Sequence, residues 1–121
     1  MPKLLIVDDE KDVREFARNF FRKRGVNVFV AGNGEEALPL VAGERPDLVL
    51  LDIRMPGMNG MDVLRKLRGQ NDQTSVIMVS GIEDDGVKKD AMSLNVLGFV
   101  HKPLVLEELE KVVLSVLKIN P

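Results

Sequence analysis

Five short apolar runs recur at intervals of roughly twenty to thirty residues: Leu4 to Val7, Val26 to Ala31, Leu48 to Leu51, Val76 to Val79 and Leu97 to Val100. Each is too short for a helix, rich in Val, Ile and Leu, and mostly without alternation, the pattern of strands buried on both faces of a parallel sheet. Helical patterns separate them. Lys11 to Arg24 puts Val13, Phe16, Ala17, Phe20 and Phe21 on one stripe and stops at Gly25. Glu35 to Ala42 carries Ala37, Leu38 and Val41, with Pro39 an awkward interior residue, and Met61 to Arg68 carries Met61, Leu64, Arg65 and Leu67. The final stretch spaces Leu106, Leu109, Val112, Val113, Val116 and Leu117 as a helix requires, whereas Asp84 to Asn95 has only Val87, Ala91 and Leu94 in register and is expected to be mobile. Strict alternation of strand and helix predicts a parallel α/β sheet with right-handed crossovers and helices on both faces.

With 121 residues the chain is expected to form a single domain, 1–121, able to bury roughly two-thirds of its unfolded surface. Hydrophobic residues at 45% and charged residues at 30% suit a packed globule, with neither a disordered tail nor a membrane span. Seventeen basic residues against 19 acidic ones give a formal charge of -2, which supplies no clustered positive surface for direct nucleic-acid binding. The absence of cysteine excludes disulfides, thiolate metal sites and cysteine nucleophiles. No signal-peptide pattern and no long apolar run is present, so a cytoplasmic protein with no membrane partner is expected.

In sheets of this kind, ligands bind outside the carboxyl ends of the strands, at the topological switch point. The first apolar run is followed by Asp8, Asp9 and Glu10, the third by Asp52, the fourth by Ser80 and Gly81, and the fifth by His101, Lys102 and Pro103. Clustered carboxylates repel one another and hold raised proton affinities unless a cation joins them. All-oxygen donors select a hard divalent ion, and Mg2+ held by carboxylates, waters and a phosphoryl oxygen fits best. Together with Lys102 such an ion neutralises three carboxylates and leaves a pocket able to accept a phosphoryl group. Asp52, alone at a central strand end, is the best candidate to attack phosphorus, and the pair Asp8 and Asp9 is suited to holding metal. Ser80 and Lys102 can each donate a hydrogen bond to phosphoryl oxygens.

These residues carry a resemblance to the receiver domains of bacterial response regulators, such as those of chemotaxis, that covers nearly the whole chain. The matching segments are Leu4-Leu5-Ile6-Val7-Asp8-Asp9-Glu10, the stretch from Asp47 through Asp52 and Pro56 to Gly60, Val79-Ser80-Gly81, and Gly98-Phe99-Val100-His101-Lys102-Pro103. The resemblance implies a flavodoxin-like, doubly wound fold with strand order 2-1-3-4-5 and five helices. It implies Asp52 as phosphoacceptor, Asp8 or Asp9 with Asp52 and the backbone carbonyl of Arg54 as Mg2+ ligands, and Ser80 and Lys102 on the phosphoryl group. Phe99 is then a switch residue that moves with Ser80, and the Lys102-Pro103 peptide is expected to be cis. The chain would catalyse only its own Mg2+-dependent phosphorylation and dephosphorylation. Its partners would be a sensor histidine kinase or phosphotransfer protein and a downstream protein or appended output domain, reached through the face of helix four, strand five and helix five.

Several features have plainer readings. Asp8-Asp9 alone suits the start of a helix, Gly32-x-Gly34-x-x-Ala37 imitates a dinucleotide fingerprint but reads as a loop, and Arg22-Lys23-Arg24 suits a helix C-terminus. His101 is expected to alternate away from the site and to be structural. Arg54 has three open readings: shielding the pocket, pairing with an acid, or reaching the phosphoryl group. Ser80 and Gly81 stand where threonine and alanine are commoner, which predicts a looser loop, and Val96-Leu97-Gly98-Phe99 lacks the acidic pair of receivers that dimerise to drive winged-helix outputs. Arg54 and Ile82, flanking the approach of water, offer no base, so a long-lived phosphoryl group is expected. A dehalogenase-type phosphohydrolase is disfavoured because Arg54 occupies the position of its second aspartate. A flavin carrier is disfavoured because the chain has no Trp or Tyr, and an intact acceptor set argues against a pseudo-receiver.

Overall fold

The computed structural model describes residues 1–81 and 85–119. In chain order the elements are β1 (Lys3–Val7), α1 (Lys11–Arg22), β2 (Asn27–Ala31), α2 (Gly34–Glu44), β3 (Leu48–Asp52), α3 (Gly60–Gly69), β4 (Val76–Ser80), α4 (Asp85–Ser93), β5 (Gly98–His101) and α5 (Leu106–Leu117). The five strands form one parallel sheet in the order β2-β1-β3-β4-β5. This is the expected fold, and its switch point lies between β1 and β3.

Alternate residues of each strand face opposite layers. Leu5, Val7, Val49, Leu51 and Met78 pack against Ala37 and Val41 of α2, Val63, Leu64 and Leu67 of α3, and Ala91 of α4. Leu4, Ile6, Leu48, Leu50, Ile77 and Val79 pack against Ala17 and Phe21 of α1 and Leu109, Val113 and Leu114 of α5. Each Leu, Ile, Val, Met or Phe among them contributes roughly 1.5–3 kcal/mol by leaving water, and each Ala less. The three central strands are buried almost throughout, which is why their sequences show no alternation, whereas edge strands β2 and β5 expose Asn27 and His101.

Three local features differ from, or sharpen, the sequence reading. Phe16, placed on the buried stripe of α1, is 59% exposed. It lines a groove of about 710 Å3 with Ala17, Leu104, Leu106 and Leu109, because the stripe is wider than the strip of sheet that α1 covers. The segment Gly32-Asn33-Gly34 is a helix start: the Asn33 side chain accepts the Glu36 backbone N–H at 2.9 Å and caps α2, which then runs through exposed Pro39 to Glu44. Arg24 bridges two helices in addition to ending one, with Nε 2.7 Å from Glu110 Oε2 on α5 and its guanidinium 3.6 Å above the Phe20 ring. The weakest expected helix exists as α4, with Ala91 buried and Val87 and Leu94 partly so; Asp84, its expected first residue, lies outside the described residues.

Candidate functional site

Each side chain of the site stands where the sheet ends. Asp52 is the last residue of β3 and is 2% exposed. The turn after it is closed by backbone bonds from Ile53 N–H to Val79 O at 3.0 Å and from Gly60 N–H to Ile53 O at 2.9 Å. Gly60 is required there, since a Cβ on it would stand 2.1 Å from the Asp52 carbonyl oxygen. Asp8 directly follows β1 and is buried, while its neighbour Asp9 is exposed. Asp8 Oδ1 accepts the Glu10 N–H at 2.9 Å, and the Arg14 guanidinium donates to Asp8 O at 2.8 Å. The bond to Glu10 makes a local turn ahead of α1, whose N-cap is Glu10 with no side-chain cap, so Asp8 does not cap the helix. Lys102 is carried in by β5, its backbone N–H donating to Ser80 O at 2.8 Å, and the following Lys102-Pro103 peptide is cis as expected.

The charges converge. Lys102 Nζ lies 2.7 Å from Asp52 Oδ2 and 3.5 Å from Asp8 Oδ2. Carboxylate oxygens of Asp8, Asp9 and Asp52 all fall within 4.8 Å of one another, a cluster that could hold a metal ion. Such oxygens, two of the three residues buried, form the donor set of a hard cation. Burial pushes the Asp52 carboxyl above its ordinary value; the Lys102 hydrogen bond and charge oppose the rise, Asp8 adds to it, and the Arg54 backbone N–H, donating to Oδ1 at 3.2 Å, opposes it. Burial alone would favour a neutral Lys102 amine, but the hydrogen bond and charge of Asp52, with Asp8 and Glu10 behind it, outweigh that and raise its pKa. The site is thus short of positive charge around a buried carboxylate.

Ser80 ends β4 fully buried. Its Oγ lies 3.1 Å from His101 Nδ1. This corrects the expectation that His101 turns away from the site: β4 and β5 pair Ser80 with His101, and residues paired across a sheet share a face. The signal was the register, which sequence alone does not supply. Phe99 is partly buried against the core beside β4 residue Met78, its cross-strand neighbour. The Arg54 side chain is exposed and lines a cavity of about 540 Å3 with Met55, Asn59, Met61, Arg65 and Val87. Ile82 lies outside the described residues.

A doubly wound parallel sheet with a buried carboxylate, an acidic pair and an ammonium at its switch point defines an open α/β protein whose strand-end crevice could hold a cation. The chain belongs to the response regulator receiver domain family, whose model matches residues 4–114. It is a receiver domain of two-component systems. Sporulation initiation phosphotransferase F of Bacillus subtilis (strain 168) is 35% identical over 111 residues, covering 92% of this chain and 90% of that protein. Regulatory protein AtoC of Escherichia coli (strain K12) is 36% identical over 118 residues, and the chain covers 98% of itself but only 26% of AtoC. Among solved structures, the Francisella response regulator 1452 receiver domain superposes with a TM-score of 0.88 at 31% identity, covering 98% of each chain.

Proposed function

We propose that Asp52 accepts a phosphoryl group from a phosphohistidine of a sensor histidine kinase or phosphotransfer protein, and that the resulting state is relayed to a downstream partner. The observation that carries this is the buried Asp52 carboxylate with the Lys102 ammonium at 2.7 Å and two further aspartates within cation-sharing distance. An Asp52 carboxylate oxygen forms a bond to phosphorus as the phosphorus–nitrogen bond of the donor breaks, and the imidazole leaves with that electron pair. Lys102 releases Asp52 and turns its charge to the phosphoryl oxygens, and Ser80 donates its hydroxyl proton to another. Asp8, Asp9, Asp52 and the Arg54 backbone carbonyl are the ligands assigned to Mg2+. When bound, the ion supplies the positive charge that the crevice lacks and that a phosphoryl oxygen demands. Chemistry of the chain's own is limited to its phosphorylation and dephosphorylation.

For the relay we assign the face of α4, β5 and α5, with Phe99 following Ser80 as it moves toward the phosphoryl group. Met92 and Leu97, each 54% exposed at the end of α4 and just before β5, give that face apolar contact area for a partner protein. A kinase donor implies a cytoplasmic setting; no helix among the described residues is long and apolar enough to cross a membrane. The whole chain is assigned to one receiver unit, 1–121.

Titration with Mg2+, followed by chemical-shift changes at Asp52 and Arg54, tests the ligand assignment. Asp9→Ala removes an exposed carboxylate without disturbing the core. Mg2+ affinity falls about tenfold or more in that variant, the scale of losing one charge-assisted interaction, and phosphorylation by acetyl phosphate slows with it. An unchanged Mg2+ titration would remove Asp9 from the ligand set.

A further inference from the structure

Among the described residues, the Ser80 hydroxyl, proposed above as a donor to the phosphoryl group, has a partner outside the charged cluster. Its oxygen is 3.1 Å from Nδ1 of His101, the sheet register sets the two side chains on the same face, and Ser80 is fully buried whereas His101 is exposed. We infer that His101 is a positioning residue, which in the resting protein accepts the Ser80 hydroxyl proton at Nδ1 and withholds it from the phosphoryl group. This rests on the reading of Asp52 as phosphoacceptor and adds a control on it.

A hydroxyl owns one proton, so it can donate to the imidazole or to a phosphoryl oxygen but not to both. In the Nε2–H form of the ring, Nδ1 is a bare acceptor and holds that proton. Phosphorylation therefore has to break the Ser80–His101 bond before Ser80 can turn. A neutral hydrogen bond adds about 0.5–1.5 kcal/mol net, so the resting state is favoured by roughly two- to tenfold on this count. Burial of Ser80 makes the choice a real one for the hydroxyl, which has no bulk water to turn to, whereas the exposed His101 ring is hydrated once released. His101 never touches phosphorus and acts only through Ser80. The same pairing also places the switch at the sheet edge: Phe99 is two residues before His101, on the same face of β5.

The test uses the intact protein with Mg2+ and beryllofluoride as a mimic of the phosphoryl group. His101→Ala should bind beryllofluoride roughly two- to tenfold more tightly than the unsubstituted protein. His101→Asn, whose side-chain carbonyl can accept in place of Nδ1, should return most of the original affinity, a rescue that a packing role does not produce. In a Ser80→Ala background, substitution of His101 should change nothing, since the hydroxyl it holds is gone. Nitrogen-15 spectra of the ring should show Nδ1 unprotonated in the resting protein and released from Ser80 once beryllofluoride is bound. Equal or weaker affinity in His101→Ala, the same gain in the Ser80→Ala background, or a protonated Nδ1 in the resting protein would overturn the inference. Failure of beryllofluoride to bind the unsubstituted protein at all would overturn the phosphoacceptor reading and this inference with it, whereas tight binding indifferent to residue 101 would overturn this inference alone.

Discussion

Asp52 is held where its charge is disfavoured, and that sets a cost on the resting protein which a functional site can carry. Burial raises its pKa, and Asp8 adds to the rise. A folded-state value above the unfolded one means the folded protein binds the proton more tightly. The stabilisation from this group is therefore fully present below the ordinary aspartate value and is lost as the pH rises through the higher folded value. Asp52→Asn should accordingly be more stable than the unsubstituted protein at neutral pH, by on the order of 1 kcal/mol. Lys102 keeps Asp8 at 3.5 Å as a partner, so the substitution leaves no isolated ammonium. Denaturant melts across a pH series check this: the gap should close as the pH falls below the ordinary aspartate range. A gap that persists in acid would assign the effect to packing. Lys102, also raised, follows the same sign at alkaline pH, its stabilisation being present at neutral pH and lost only as the pH climbs through its elevated value.

Residues at or just after strand ends were legible, because the alternating pattern locates strand ends to within a residue. Asp8, Asp9, Asp52, Ser80 and Lys102 could all be named in that way, and four of the five are brought into one charged cluster. The bond between Ser80 and His101 was not legible. Alternation along β5 tells that His101 and Lys102 point oppositely, but only the pairing with β4 tells which of them Ser80 faces.

At the level of elements, the turn between β3 and α3 is the most exacting. An alanine Cβ at residue 60 would meet the backbone oxygen of Asp52, which has no soft way to move, whereas one at residue 34 would meet the side chains of Met58 and Val63 at 2.8 Å. Gly60→Ala is expected to destabilise by about 1–3 kcal/mol or more and to weaken Mg2+ binding with it, while Gly34→Ala should cost less and spare the metal. Thermal melts and Mg2+ titrations of both variants check the contrast; equal effects would deny the site's dependence on this turn. Helix ends were read to within about two residues, the ordinary scatter of fraying and capping. Pro39 is accommodated because α2 continues past it on an exposed face at the loss of one backbone bond. The stripe of α1 misled at Phe16, since periodicity marks an apolar side of a helix and not the width of the surface that covers it. Arg68 was unmarked in sequence, yet it donates to Leu94 O and Asp72 O, each at 2.7 Å, and so ties the end of α3 to the segment before β5.

Over the whole molecule, two apolar layers on a single sheet hold the strand ends still, so that charged groups far apart in sequence meet with little freedom to relax. Parallel pairing and layers followed from the alternation of strand and helix; the strand order followed from resemblance, since periodicity fixes neighbours along the chain and not across the sheet. That rigid edge is what sets the buried Asp52, proposed as the acceptor, apart among 19 acidic residues. The most direct measurement is intact-mass and peptide mapping after incubation with acetyl phosphate and Mg2+. One hydroxylamine-labile phosphoryl group on Asp52, lost on chelation of Mg2+ before the reaction and absent from Asp52→Asn, is the predicted result. Equal labelling of Asp52→Asn, or labelling that maps to any other residue, would contradict it.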